Sequence, residues 1–389
     1  MAGLFSHQAF DSFGPDRLGL GAPRTSHRID AASRCGLRRL VRRDSPRRAG
    51  VYGMLNSREE LIYVGKAKSL RTRLLSYFRT RSPDRKARRI LQHTASIVWE
   101  ISPNEFAALL RELELIQRWR PRFNVHGQPA RRRLTHICLG RAPALYVFLS
   151  SAAQSPESTC YGPVRAGWRV REAVRHLNDH FKLRDCPKKQ VLYFREECEL
   201  FPQVQTPGCL RLEIGTCLGP CVGACSRRDY RSRIVATRAF LEGRDDSSLR
   251  MTEEEMKSSS ASLQFEKAAA LRDKLDSLSW IHDRLKRLRR LCQQLPFIYP
   301  VRGDDGTETW YLIRNGLVVA SLTPPRSVSE KRNVSKRIRD ALADRPAIRA
   351  QLNATDMDGV YLVAAWFRRH PEERERVLHP SEALKLCRA

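Results

Sequence analysis

The chain has 389 residues, enough for two or three domains that each bury a core. Its 71 Lys and Arg residues outnumber 42 Asp and Glu, which gives a formal net charge of +29. This excess favours a polyanionic partner such as nucleic acid, although arginine-rich codon usage alone would also raise the charge. No apolar run approaches the ~18–20 residues that cross a bilayer, and the start lacks a signal-peptide pattern. We therefore expect a cytoplasmic protein with no membrane partner.

The first ordered segment is predicted to begin near Gly50. Residues 1–47 are rich in arginine with little apolar periodicity, which predicts a disordered basic arm. The predicted strands that follow are Val51–Leu55, Leu61–Val64 and Ser96–Ile101, and the predicted helices are Lys68–Tyr77, Asp84–Thr94 and Asn104–Trp119. Alternation of strands and helices over about 80 residues predicts a small α/β module at residues 48–126.

The rest of the chain divides into three further regions. Residues 134–235 combine a strand-like run (Ala144–Leu149), a basic helix around Val170–His180 and a cysteine cluster. Residues 251–285 are helical and rich in charge. Residues 296–389 contain a hairpin that turns at Asn315-Gly316, and helices after it. The predicted fold class is therefore multi-domain α/β with a small C-terminal α+β region, to which we assign no role.

Residues 48–126 also carry the side chains that phosphodiester cleavage needs. The reaction requires activation of a nucleophile, stabilisation of charge on the phosphate and help for the leaving oxygen. The candidates are the phenols of Tyr52, Tyr63 and Tyr77, the cations Lys66, Arg71 and Arg73, the carboxylates Glu112 and Glu114, and the amide of Asn124. Taken singly, each tyrosine could equally be an ordinary strand aromatic. A helical wheel does not choose between the glutamates, because both flank a predicted buried stripe of Phe106, Leu109, Leu110, Leu113 and Ile116.

The order of these residues resembles a known nuclease family. Gly50-Val51-Tyr52 followed by Tyr63-Val64-Gly65 is similar to the two half-motifs of the GIY-YIG nucleases. The runs Tyr63–Phe78 and Leu109–Asn124 resemble UvrC, the nuclease of bacterial nucleotide excision repair. The resemblance implies seven catalytic residues: Tyr52, Tyr63, Lys66, Arg73, Tyr77, Glu112 and Asn124.

The resemblance also implies a role for each of these residues. Tyr63 would act as the base on water, with Tyr52 beside it and Tyr77 helping to position the phosphate. Arg73 would steady that phosphate, and Lys66 would lower the pKa of a neighbouring phenol. Family spacing selects Glu112 as the ligand of one divalent cation, Mg²⁺ or Mn²⁺, which suits a cation that keeps its waters. Asn124 would support the site.

The cysteines indicate a second cofactor. In a reducing compartment, eleven cysteines do not argue for disulfides, whereas clustered ones indicate a metal or an iron–sulfur cluster. Cys186, Cys209, Cys217 and Cys221 lie in segments that resemble UvrC, which implies that their thiolates bind a [4Fe–4S] cluster. Four soft ligands also suit tetrahedral zinc, and that alternative stays open. Cys225 and Cys198 could compete as ligands.

Residues 263–273 resemble the UVR motif through which UvrC and UvrB associate. We therefore expect residues 251–285 to form a helical hairpin that docks a UvrB-like partner. The implied contact residues are Met256 and Leu263 from its first helix, and Phe265, Ala269, Leu271 and Leu275 from its second. Two short helices bury too little surface to be stable alone, so the hairpin either docks a partner or packs against its own chain.

The resemblance covers about residues 48–285. About a hundred residues follow, too few for both the RNase H-like nuclease and the helix-hairpin-helix domains of full-length UvrC, which implies the short, Cho-type branch of the family. The implied function is a metal-dependent DNA endonuclease that makes one cut, 3′ to a lesion in damaged duplex DNA, by direct attack of water. Two alternatives stay open: a catalytically weak DNA-binding adaptor that docks a UvrB-like partner, and an unrelated GIY-YIG enzyme of recombination or restriction.

Overall fold

The computed structural model describes residues 9–18, 26–79, 84–124, 134–151, 158–187, 190–200, 209–292, 295–343 and 354–387. The chain forms two compact units. The first unit joins Met1–Arg131 to the C-terminal part of the chain from Cys292, and the second is built mainly from Arg132–Leu291. Within the described ranges, no helix is both long and apolar enough to span a membrane.

The N-terminal part of the first unit is an antiparallel sheet covered by helices. Its elements are β1 (Ser26–Asp30), α1 (Arg34–Asp44), β2 (Gly50–Leu55), β3 (Leu61–Ala67), α2 (Leu70–Ser76), α3 (Arg85–Gln92), β4 (Ser96–Ile101) and α4 (Glu105–Trp119). The strand order is β1-β4-β2-β3. The strands and helices predicted from Val51 to Trp119 are confirmed, with bounds that shift by at most three residues.

The prediction of a disordered basic arm over residues 1–47 is wrong for the part that the structure describes. Strand β1 pairs with β4 along its whole length, from Ser26 opposite Glu100 to Asp30 opposite Ser96. Helix α1 is capped by the Ser33 hydroxyl and buries Leu37 and Val41. Upstream, Phe10 and Phe13 belong to the core of the sheet. A few well-placed apolar side chains therefore order an arginine-rich segment; residues 1–8 and 19–25 lie outside the described ranges.

The second unit pairs a small sheet with a set of helices. Its elements are β5 (Leu134–Gly140), β6 (Tyr146–Ser150), β7 (Ser158–Arg165), α5 (Trp168–His180), α6 (Arg195–Leu200), α7 (Leu210–Glu213), α8 (Arg227–Leu241), α9 (Ser247–Ala261) and α10 (Phe265–Cys292). Strand β6 and helix α5 confirm the predicted strand and basic helix. Strands β5 and β7 were not predicted, and a disulfide joins Cys138 on β5 to Cys160 on β7, contrary to the expectation of free thiols.

The predicted helical hairpin of residues 251–285 is present as α9 and α10, although its details differ. Leu263 lies in the connecting turn with φ +59°, not in the first helix. Helix α10 continues to Cys292. Its later turns bury Leu278, Ile281 and Leu285 in the core of the second unit. The later turns of the second helix therefore pack against its own chain, whereas its first residues, 265–267, are exposed.

The C-terminal part of the chain completes the first unit. Its elements are β8 (Phe297–Arg302), β9 (Glu308–Arg314), β10 (Leu317–Leu322), α11 (Val328–Leu342), α12 (Ala354–Arg369), a 3₁₀ helix (Pro371–Arg376) and α13 (Pro380–Leu386). The predicted hairpin is confirmed as β9–β10. Its turn residues Asn315 and Gly316 have φ of +53° and +75°, as a type I′ turn requires. Strand β8, which contains Pro300, was not predicted.

Helix α4 is buried on two faces. Ala108, Leu115 and Trp119 share a core with residues of the four-stranded sheet. Phe106 packs instead against Tyr299, Tyr311 and Trp366 of the C-terminal part, with ring centroids 4.9–5.2 Å apart. The predicted single stripe is therefore wrong: Leu109, Leu110 and Leu113 are only half-buried. The helix that carries both candidate glutamates is thus fixed from two sides.

Candidate active site

Three tyrosines from separate elements meet beside α2. Tyr52 lies on β2, Tyr63 on β3, and Tyr77 directly follows α2; their ring centroids are 6.1–6.3 Å apart. The phenol oxygens of Tyr52 and Tyr77 are 2.9 Å apart, and Tyr63 and Tyr77 lie close enough for each phenol to affect the pKa of the other. Tyr52 and Tyr77 are buried and Tyr63 is half-buried. Tyr63 is therefore the end of this phenol chain that a water molecule can reach.

Arg73 is the cation of the phenol chain. Its Nε donates a hydrogen bond of 3.2 Å to the Tyr52 phenol, and its guanidinium carbon lies 5.2 Å from the centre of the Tyr77 ring. Burial raises the pKa of all three phenols, and the charge of Arg73 opposes that rise. The Arg73 side chain is otherwise exposed. It can therefore hold the phenol chain and still donate to a bound phosphate.

Gly65 provides the space that the Tyr52 ring occupies. Gly65 on β3 lies directly opposite Tyr52 on β2. A Cβ atom at this position would lie 2.5 Å from the Tyr52 phenol oxygen and 2.6 Å from its ring carbon Cζ. Both separations are well inside van der Waals contact, so a larger residue would force the ring to move. The last glycine of the Tyr63-Val64-Gly65 motif is thus a steric requirement of the phenol chain.

The structure distinguishes the two candidate glutamates. Glu112 Oε1 accepts the backbone N–H of Lys66 at 3.1 Å, and the charge of Glu112 contributes to the raised pKa of Tyr63. Burial raises the pKa of Glu112 itself, opposed by Lys66 and Arg73. Glu114 is paired with the guanidinium groups of Arg111 and Arg118 at 3.0 and 2.9 Å. Glu112 is therefore the carboxylate within the electrostatic reach of Tyr63 and Arg73.

Two of the candidate cations are engaged elsewhere. The Lys66 ammonium lies 2.8 Å from Glu105, which also pairs with Lys68 at 2.9 Å. The Lys66 ammonium is thus held by Glu105, whereas Arg73 is hydrogen-bonded to the Tyr52 phenol; a role for Lys66 in lowering the pKa of a phenol stays a prediction. Arg71 Nε donates to the Ser45 carbonyl at 2.6 Å, so this side chain fastens α1 to α2.

Asn124 positions the strand that carries Tyr63. Its side-chain oxygen accepts the Val64 N–H at 2.9 Å, and its side-chain nitrogen donates to the Val64 carbonyl at 2.8 Å. Asn124 is buried and contacts the backbone next to Tyr63, which fits the supporting role implied by the resemblance.

Sequence reasoning missed Lys86 on α3, whose ammonium lies 5.7 Å from the centre of the Tyr63 ring. The basic run of residues 85–89 is the sequence feature from which a cation near the site could have been predicted.

The residues present fit one hydrated divalent cation at Glu112. Its Oε2 makes no hydrogen bond within the part of the chain that the structure describes, while Oε1 is held by Lys66 N–H. No group of three or more His, Cys, Asp or Glu side chains among the described residues is arranged to hold a metal ion. A cation here would therefore have a single protein ligand and complete its shell with water and phosphate oxygens, as Mg²⁺ commonly does.

The cysteine segment does not support the cluster predicted for it. The thiols of Cys209 and Cys221 lie close enough to Cys217 to raise its pKa, in addition to the larger effect of burial. Even so, no three of the described cysteines are arranged as metal ligands. The structure therefore supports neither the [4Fe–4S] cluster nor zinc at Cys186, Cys209, Cys217 and Cys221. Burial raises the pKa of the Cys225 thiol to about 12; the side chain of Cys198 lies outside the described residues.

Three family models match successive parts of the chain. Residues 48–125 match the UvrC-like GIY-YIG domain, and this part of the chain is thus a GIY-YIG endonuclease domain. Residues 134–240 match the middle domain of the UvrC/Cho excinucleases, and residues 246–279 match the UvrB/UvrC motif. Residues 48–279 are thus similar, segment by segment, to UvrC-like GIY-YIG proteins.

The chain is also similar to curated proteins named UvrABC system protein C and to a solved domain of UvrC. The chain is 30% identical to UvrABC system protein C of Aliivibrio salmonicida over 70% of this chain and 41% of that protein. It is 31% identical to the Rickettsia akari protein of that name over 61% of this chain and 35% of the relative. The chain thus spans about two fifths or less of these relatives. One solved structure is the GIY-YIG N-terminal endonuclease domain of Thermotoga maritima UvrC, bound to magnesium as its catalytic divalent cation. The chain is 34% identical to it over 23% of this chain and 96% of that chain, with a TM-score of 0.21.

Proposed function

We propose that this chain is a metal-dependent DNA endonuclease of the nucleotide-excision-repair type, which makes one incision on the 3′ side of a lesion in duplex DNA. The observation that carries the proposal is the convergence of a phenol, a guanidinium and a carboxylate at Tyr63, Arg73 and Glu112. The UvrC-type order of residues 48–279 supports a repair substrate. The net charge of +29 supports a nucleic acid partner.

The chemistry follows from the positions of these side chains. The oxygen of a water molecule forms the new bond to phosphorus as one of its protons passes to the Tyr63 phenolate. The bond from phosphorus to the leaving sugar oxygen breaks, and that oxygen takes a proton from a second water molecule. Glu112 would hold a divalent cation, whose positive charge would favour the Tyr63 phenolate against the effect of burial and neutralise the phosphate. Arg73, whose side chain is exposed, donates to a phosphate oxygen. Tyr77 and Tyr52 keep the Tyr63 phenol oriented, and Asn124 keeps its strand in place.

We further propose that α9 and α10 dock a UvrB-like partner. Met251 at the start of α9, Leu263 in the turn and Phe265 at the start of α10 are 65%, 73% and 63% exposed. Leu263 and Phe265 expose large apolar side chains at the turn end of the hairpin, and Met251 exposes one towards the other end of α9. Exposed apolar side chains of this size are typical of a protein contact. Leu271, which the resemblance also assigned to the contact, is buried and supports the hairpin instead.

The decisive experiment gives the purified full chain a duplex that carries one bulky adduct and a label at each end. With Mg²⁺ and a UvrB-type partner, the wild type should nick the damaged strand once, on the 3′ side. Tyr63→Phe and Glu112→Gln should bind the duplex and leave it intact. Glu114→Gln is the matched control on the same helix and should still cut, because Glu114 faces Arg111 and Arg118.

The same experiment tests the adaptor alternative. If the wild type binds both the duplex and the partner but never cuts, with any divalent cation, the endonuclease proposal is wrong and the chain is an adaptor. Leu263→Ser combined with Phe265→Ser should abolish partner binding and leave DNA binding unchanged. Partner binding that survives both changes would contradict the proposed docking end of the hairpin.

A further inference from the structure

Helix α1 has a basic face that lacks acidic neighbours. Arg34, Arg38 and Arg42 recur at intervals of one helical turn, Arg39 lies beside them, and all four side chains are exposed. None of the four forms an ion pair within the described ranges of the chain. The acidic residue of α1, Asp44, is paired with Arg43 at 2.6 Å. Four like charges therefore face the solvent without compensation, an arrangement that costs free energy unless an anion binds there.

This basic face is fastened to the helix that carries Arg73. Leu37 and Val41 on the inner side of α1 share a core with Leu70 and Leu74 on α2. The Ser45 carbonyl accepts from the Arg71 side chain at 2.6 Å, and the Pro46 carbonyl accepts the Arg71 N–H at 3.0 Å. Arg71 is separated from Arg73 by a single residue. The arginines of α1 are thus held in a fixed position relative to the residue that binds the phosphate in the proposed site.

The dimensions of α1 match a stretch of nucleic acid backbone. Its 11 residues extend about 16 Å, which corresponds to roughly five base-pair steps of about 3.4 Å. Arginines four residues apart on the helix are about 6 Å apart, or roughly two such steps, so each can reach a different phosphate; an arginine fork suits phosphate oxygens. A rigid, regularly spaced row of cations beside a phosphate site fits a polymer of evenly spaced anions better than an acidic peptide.

We propose that α1 binds the phosphates of duplex DNA that flank the bond to be cut, through Arg34, Arg38, Arg39 and Arg42. The inference rests on the proposed function, because a DNA substrate is what places a phosphate at Arg73. Such contacts carry no base specificity; they fix the register of the duplex on the protein. The arginine-rich segment before the nuclease module thus becomes part of the substrate-binding surface.

The test measures binding of the full chain to a labelled undamaged duplex of about 30 base pairs, by fluorescence anisotropy in EDTA over a range of KCl concentrations. The logarithm of the affinity falls with the logarithm of the salt concentration by about 0.9 per phosphate contact. Arg38→Gln/Arg39→Gln/Arg42→Gln should therefore reduce that slope by about 2.7. Glutamine forms helices about as well as arginine, so α1 should remain folded, as circular dichroism will verify.

The matched control removes the same charge from another exposed helix. Arg332→Gln/Lys336→Gln/Arg337→Gln on α11 should change the slope by less than about one contact. The Arg→Lys triple variant of α1 should restore the wild-type slope. The inference is overturned if the α1 and α11 triple variants have equal slopes. It is also overturned if the α1 triple variant keeps the wild-type DNA slope but no longer binds a UvrB-type partner. Should the triple variant fail to fold, Arg38→Gln alone must lower the slope by about 0.9.

This assay separates the inference from the proposed function. It uses neither a metal ion nor cleavage, so a wild type that never cuts contradicts the endonuclease proposal without altering the slope. A wild type that cuts, combined with an α1 variant that binds like the control, contradicts the inference alone.

Discussion

The substitution Gly65→Ala tests whether one methyl group can dismantle the phenol chain. The new Cβ would lie 2.5 Å from the Tyr52 phenol oxygen, about 1 Å inside ordinary contact, so the ring must move by about that distance. Such a shift breaks the hydrogen bonds of Tyr52 to Tyr77 at 2.9 Å and to Arg73 at 3.2 Å. Overpacking costs about 1–3 kcal/mol, and two lost hydrogen bonds cost about 0.5–1.5 kcal/mol each. We expect a total loss of about 2–6 kcal/mol, or about 5–20 °C in Tm.

The loss of activity should exceed what the loss of stability explains. A displacement of 1 Å in a catalytic site can cost on the order of 100-fold in rate, so single-turnover cleavage should fall about that far at a temperature where the variant remains folded. Gly167→Ala is the control, because a Cβ there meets nothing within 4 Å; it should cost less than about 1 kcal/mol. Gly65→Ala with Tyr52→Leu should recover most of the stability and none of the cleavage. Wild-type melting and wild-type cleavage by Gly65→Ala would refute the steric argument.

Three other predictions concern stability. Arg111→Met should cost about 3–5 kcal/mol in urea unfolding, because it removes the guanidinium that pairs with the buried Glu100 carboxylate; adding Glu100→Gln should recover much of the loss, and no recovery would contradict a contribution of this ion pair. Phe106→Ala should cost about 3–5 kcal/mol and accelerate proteolysis of the C-terminal sheet, whereas equal proteolysis would show that α4 does not hold that sheet. Burial lowers the pKa of His180 from 6.5 to about 4. The unfolded chain therefore takes up this proton first, and stability should fall as the pH drops from about 6.5 towards 4; in His180→Gln that fall should be smaller, and an unchanged pH profile would contradict the burial of His180.

The elements that the sequence predicts are those with a strong local pattern. Helix α4 begins at an Asn104 cap and ends at Arg120 in the left-handed conformation, so its bounds could be read from local residues. The β9–β10 hairpin was predicted because Asn315-Gly316 favours one turn type. Strand β1 and helix α1 were missed because a few apolar side chains among many arginines resemble a disordered composition. What orders them is pairing with β4 and packing on α2, and neither is a local property of the sequence.

In the candidate site too, some features follow from local sequence and others depend on contacts that only the fold creates. Motif spacing selects Glu112 over Glu114, and this choice stays a prediction; the structure adds that Glu114 is neutralised by two arginines. The role assigned to Lys66 could not be checked from sequence, because its partner Glu105 lies 39 residues away and reaches it only in the fold. The predicted buried stripe on α4 was wrong because a helical wheel was read with a single buried face. This helix has a second buried face, which packs against the C-terminal sheet.

The double burial of α4 has a practical consequence for anyone who dissects the chain. A fragment that ends soon after the nuclease module would leave Phe106 and Ala107 open to water, an apolar surface that invites self-association. Such a fragment should be expressed together with the C-terminal segment as a separate polypeptide, or with Phe106 replaced by a polar residue. The boundary of the nuclease in sequence is therefore not the boundary at which it can be cut out and handled alone.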